Sequence, residues 1–174
     1  MKKRLLCFTM LLTVTISAIT FTNNVKAATK WNTSKSVTKE ENGIKYSAYL
    51  TEDGKESWIY QIKLSKKITK LTLPKEINQA KLTRVGFGKE LYNKGEDEDA
   101  YQNLFGDTIE PWHNCYGDLS NDDKNKQTIE TVAIPGTVNQ LEIATFSGMK
   151  KLKSVVIPEQ TASVPAYTLS LIHI

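Results

Sequence analysis

Apolar positions along this chain follow two rhythms. Between residues 43 and 66 they alternate: Ile44, Tyr46, Ala48 and Leu50 in one run, Trp58, Tyr60, Ile62 and Leu64 in the next, with Asp53-Gly54 between them. Period-two runs rich in aromatic and β-branched residues, joined through an Asp-Gly, predict a β-hairpin with one apolar face. Further on the rhythm becomes apolar-x-x-apolar-x-apolar-Pro. It occurs as Ile68, Leu71, Leu73 and Pro74, as Ile129, Val132, Ile134 and Pro135, and as Leu152, Val155, Ile157 and Pro158. With aliphatics near a fifth of residues and Pro near 5%, chance supplies this pattern at about one start point in two thousand. The last two copies stand 23 residues apart, and a second apolar set follows each: Val138, Leu141, Ala144 and Phe146, then Thr161, Val164, Tyr167 and Leu169. Each copy predicts a short strand ended by a Pro that donates no hydrogen bond.

A repeat of this length with this spacing is the mark of a leucine-rich repeat. The expected fold is therefore a mainly β repeat solenoid, a leucine-rich repeat stack of short strands and short helical or 3-10 turns. The 43–66 hairpin would cap its open end, because terminal repeats must cover core that neighbours leave exposed. The expected organisation is a signal peptide at 1–27, a flexible polar lead at 28–42, the hairpin cap at 43–66 and the repeat domain at 67–170, with an insertion at 89–127. The apolar end, Leu169 to Ile174, carries no cap, so 171–174 are expected to be non-native or truncated and the chain a piece of a longer protein.

The N-terminus changes how charge is read. Lys2, Lys3 and Arg4 precede an apolar run, and Val25-Lys26-Ala27 places small residues at the −3 and −1 positions of a signal peptidase site. Polar Thr and Ser interrupt the run, which argues for a cleaved signal rather than a membrane span. Four basic residues precede the cut, so 19 of the 23 remain, against 19 acidic ones. The mature chain is formally neutral, and the basic balance gives no support to a nucleic-acid partner. Of the 2 Cys, Cys7 falls in the signal and lacks the small preceding residue of a lipoprotein anchor, which leaves Cys115 alone as a buried small hydrophobe.

The insertion is acidic at its flanks, Glu96 to Asp99 and Asp118 to Asp123, and aromatic between, with Tyr101, Phe105 and Trp112. Insertions of this kind tend to lie on a binding face. Trp112-His113-Asn114-Cys115 invites a nucleophile–base reading, but such pairs come from distant sequence and need a third orienting group. His113 and Cys115 are two soft ligands where a structural zinc takes four. The acidic runs lack the D-x-D-x-D-G order of a calcium loop and read as solvated charge. No catalytic residue, cofactor or metal is expected.

The repeats resemble the BspA-like leucine-rich repeats of secreted and surface-attached bacterial proteins, in VAIPGTV with Ala144 and Phe146 and in VVIPEQT with Tyr167 and Leu169. Pro74 to Gly86, PKEINQAKLTRVG, resembles that family's first repeat. The resemblance covers roughly Gly43 to Gly88 and Gln127 to Ser170. Glu76, Thr137 and Gln160 replace the Asn or Cys usual at the ninth position. The resemblance implies a secreted or cell-surface adhesion or binding protein without catalysis, taking a protein or glycan ligand on a host or cell surface. The alternative is a targeting module for an exported enzyme whose hydrolase or protease domain lies further on. The expected binding surface is the outward side of the strands, Thr131, Ala133, Ser154 and Val156, together with Tyr101 and Trp112 from the insertion.

Overall fold

The computed structural model describes residues 29–88, 91, 101–102, 104–105, 108–109, 125–165 and 167–169. Eleven strands and one 3-10 turn are described. They run β1 (Trp31–Glu41), β2 (Ile44–Thr51), β3 (Glu56–Leu64), β4 (Lys70–Thr72), β5 (Glu76–Ile77), β6 (Ala80–Val85), β7 (Tyr101–Gln102), β8 (Thr108–Ile109), the turn Lys126–Thr128, β9 (Thr131–Ala133), β10 (Gln140–Leu141) and β11 (Ser154–Val156).

The organising element is an antiparallel meander, β1-β2-β3, with strands of 11, 8 and 9 residues. Asn42 and Gly43 join β1 to β2 with φ of 56° and 79°, the left-handed pair that a two-residue hairpin loop demands. β3 then pairs parallel with β6, β6 pairs parallel with β10, and β5 folds back on β6, giving a six-stranded mixed sheet. The second sheet is small and parallel, in the order β11-β9-β4. One apolar cluster fills the space between the sheets. Ile44, Tyr46, Ala48, Ile62, Leu64 and Leu82 come from the larger sheet, and Leu71 and Val132 from the smaller.

The leucine-rich-repeat solenoid expected from sequence is not what forms. The chain is mainly β, but its sheets are mixed, and its longest strands are stacked antiparallel. The repeat spacing sets only a local register. Lys70, Thr131 and Ser154 lie abreast, as do Leu71, Val132 and Val155. Three-residue strands place one side chain each on the inner face, and the long meander outweighs them in area. Residues 31–41, read as part of a polar lead, are β1, whose Val37 packs on the core. Among the described residues of the 89–127 insertion, Leu104, Phe105 and Lys126 are buried. Leu104 is fully buried, accepts the Ile62 N–H (2.8 Å) and donates to the Thr145 carbonyl (2.9 Å), and Phe105 is buried beside it.

A bulge corrects the hairpin. Ser47 faces Gln61 but Ala48 faces Ile59, so Tyr60 is an extra residue in β3. Past it the alternation flips. Ile59, rather than Trp58 or Tyr60, joins Ile62 and Leu64 in the core, and Trp58 turns to the outer face. There it is buried again by Trp31, Tyr49 and Arg84.

The β2–β3 connection is closed by side chains. Asp53 Oδ1 accepts from the Thr51 hydroxyl (2.7 Å) and the Lys55 N–H (3.1 Å). These bonds, with that to Thr51 the largest, hold the Asp53 carboxyl down at about 2, against its ordinary 3.8. A carboxylate whose value falls on folding contributes stability that is present above 3.8 and lost as pH drops toward 2. Carboxyl-carbon NMR titration is expected to find the Asp53 midpoint near 2 in the native chain, moving up toward 3.8 in Thr51→Val. An unchanged midpoint in that variant would show that the hydroxyl is not the cause.

Candidate functional site

The small sheet has one face against the core and one in solvent. On the core side are Leu71 and Val132, both buried, and half-buried Val155. The intervening positions point outward, and parallel register lines them up in two rows. Lys70, Thr131 and Ser154 form one row; Thr72, Ala133 and Val156 form the other. Four of the residues read from sequence, Thr131, Ala133, Ser154 and Val156, are thus brought together on one surface, flanked by Lys70 and Thr72.

The face is nearly uncharged. Lys70 is its one formal charge, and the Lys153–Glu130 pair (2.9 Å) lies at its lower border, joining adjacent strands. Thr131 and Ala133 are half-buried, while Ser154 and Val156 are open. Val156 is 61% exposed, more than any other large apolar side chain described. An isolated exposed Val is ordinary. Here it stands beside Ala133 on a face whose other outward side chains, Lys70 apart, are short Thr and Ser, so little side-chain entropy is lost when a partner covers them.

The insertion residues do not join it as far as the structure describes. Tyr101 begins β7, which among the described strands pairs with β8, and its side chain lies outside the description. Trp112, His113 and Cys115 fall outside the described residues, as do both acidic runs and the N-terminal segment read as a signal peptide. Among the described residues no group of three or more His, Cys, Asp or Glu is placed to hold a metal ion. No described helix is long and apolar enough to cross a membrane.

Sequence reading missed a second feature beside this face, a groove of about 480 Å³. One wall is the β1–β2 turn with the start of β2, where Glu41, Asn42 and Tyr46 lie; the other is the outer edge of β4, with Lys70 and Thr72. Burial first, and the Glu41 carboxylate second, push the Tyr46 phenol up to about 12, so it is a neutral hydroxyl throughout the physiological range. Glu41 is paired with Lys39 (3.2 Å), and Lys66 on the groove floor has no carboxylate partner among the described residues. The sequence signal was present in Asn42-Gly43, the strongest short hairpin motif in the chain, but polar residues 31–41 hid the strand that uses it.

Comparison with family models, with curated proteins and with solved structures returns no match to this chain.

Proposed function

We propose that this chain is an exported, non-enzymatic binding protein that engages a protein or glycan on a cell surface through the solvent side of β4, β9 and β11. The observation that carries the reading is the in-register surface of Thr131, Ala133, Ser154 and Val156, with Val156 open to solvent. An open strand face of mostly short side chains suits an extended partner, whereas small molecules favour concave, mostly apolar sites. The basic N-terminal segment and the Val25-Lys26-Ala27 site support export. Kinship with the secreted and surface-attached bacterial proteins that carry BspA-like repeats is part of the proposal and rests on the 23-residue spacing.

The test pairs ligand discovery with a face variant. Purified chain is screened on a glycan array and against purified extracellular proteins, beside Ala133→Arg/Val156→Asp. Both substitutions point into solvent, so the melting temperature is expected to stay within a few degrees. A ligand bound through this face is expected to lose at least about tenfold in affinity, the scale of one or two interfacial contacts. A ligand that binds both proteins equally would remove the face from the reading.

A further inference from the structure

Along the outer edge of β4, main-chain groups have no partner strand among the described residues. β4 is the last strand of its sheet, beyond β9. Glu130 and Thr131 donate their N–H groups to the Thr69 carbonyl (2.8 and 3.1 Å), and Leu73 donates to the Ala133 carbonyl (3.0 Å). In a parallel ladder the residues that serve the neighbour alternate with those that do not. Thr69, Leu71 and Leu73 serve β9, so Lys70 and Thr72 turn their N–H and C=O groups to the other side. That side is the groove, with the β1–β2 turn as its far wall. Its volume falls in the roughly 300–1,000 Å³ range of ligand clefts.

The charge of the groove says what could fill it. Glu41 is already offset by Lys39. Lys66 and Lys70, both exposed, have no carboxylate partner among the described residues. We infer that the groove is a strand-addition site for an extended acidic peptide, which pairs its backbone with Lys70 and Thr72 and sets its carboxylates against Lys66 and Lys70. Main-chain bonds supply the affinity in this mode, and side chains supply the selection. Lysines on an edge strand guard against pairing with other strands, and do so least against a strand of opposite charge. The site adjoins the sheet face proposed above and shares Lys70 and Thr72 with it, but it uses the main-chain edge of β4 rather than the outward side chains of β9 and β11, and neither reading rests on the other.

The probe is a fluorescein-labelled heptapeptide of alternating glutamate and valine, followed by fluorescence anisotropy against the whole chain. Two comparison peptides replace glutamate with lysine or carry N-methyl groups on alternate amides. The acidic peptide is expected to bind at least about tenfold more tightly than either, since each comparison removes charge pairing or edge hydrogen bonds. Thr72→Pro deletes the outward N–H without touching the ladder to β9, a substitution edge strands accept, and is expected to weaken the acidic peptide about tenfold. Val156→Asp, on the far strand, is expected to leave it unchanged. Lys66→Glu/Lys70→Glu provides an independent arm, with preference reversing to the lysine peptide. Equal binding of acidic and basic peptides to the native chain, or full acidic-peptide binding by folded Thr72→Pro, overturns the inference. So does self-association that Thr72→Pro abolishes while no peptide binds, because the edge would then pair with a second copy.

Discussion

Replacing Trp58 with Ala is expected to lower the free energy of unfolding by about 3–5 kcal/mol, a large share of the roughly 5–15 kcal/mol that holds a domain together. The indole is fully buried, although it lies on the outer face of the large sheet and outside the main core. Trp31 meets it edge-on at 5.7 Å, Tyr49 lies tilted at 5.7 Å, and the Arg84 guanidinium covers it at 3.8 Å. Its Nε1–H donates to the Gly86 carbonyl at 2.7 Å, a group that would be left unmet in the variant. Collapse cannot easily refill the space, because its walls come from β1, β2, β3 and β6 at once. Trp58→Phe keeps most of the ring and loses the hydrogen bond, and is expected to cost less, about 1–3 kcal/mol. Urea unfolding followed by far-ultraviolet circular dichroism measures both. A loss below about 1 kcal/mol for Trp58→Ala would mean that the outer cluster is a surface ornament rather than a second core.

That cluster also marks how far sequence reasoning reached. Alternation found β2 and β3 because consecutive side chains on a strand must face opposite ways. It then assigned Trp58 to the core face, because one extra residue at Tyr60 reverses the parity and leaves no local trace. Residues 31–41 read as a lead because nine of them are polar or charged around a single Trp and a single Val; a strand with so few apolar positions has no apolar rhythm to detect. The 23-residue spacing gave the register of β9 on β11 correctly in residue number, since Thr131 pairs with Ser154. It did not give the architecture. Spacing between like strands says which residues lie abreast, whereas the arrangement of sheets depends on what the longer strands do, and those lie outside the repeats.

The candidate face was legible for the same reason that the solenoid was overread. Residues two apart on a short strand share a side, so Thr131 with Ala133 and Ser154 with Val156 followed from periodicity alone. The groove was not legible. Its walls meet through the turn at Asn42-Gly43 and an edge at Lys70 and Thr72, roughly 30 residues apart in sequence with no shared pattern. Gly86 shows a similar long-range demand. Its φ is 110°, and a Cβ there would run into the Thr145 hydroxyl and the Glu142 Cβ, so this position must be bare for the chain beyond β10 to cross β6.

At that crossing lies the ion pair from which the second large effect is expected. Arg84 Nε and Glu142 Oε1 are 2.6 Å apart, with side chains only 5% and 13% exposed, across 58 residues of sequence. Glu142 Oε1 also accepts from Gln140 Nε2 (2.8 Å), and the Glu142 N–H donates to the Val85 carbonyl (2.9 Å). Glu142→Gln keeps the shape and removes the charge. Breaking a buried pair from one side costs about 3–5 kcal/mol, because the remaining charge is still held away from water. The lower end is expected here, about 3 kcal/mol, since Arg84 keeps its stacking on Trp58. Removing both charges together differs in kind. Arg84→Met/Glu142→Leu fills a similar volume with apolar atoms, and is expected to recover most of the loss. Little of the effect is expected to vary between roughly 0.05 and 0.5 M salt, because a buried pair is poorly screened. A double-mutant cycle in urea separates the possibilities. Were Glu142→Gln to cost under about 1 kcal/mol with a marked salt dependence, the pair would be behaving as an exposed one, and Arg84 would owe its position to its other contacts, the Trp58 indole among them.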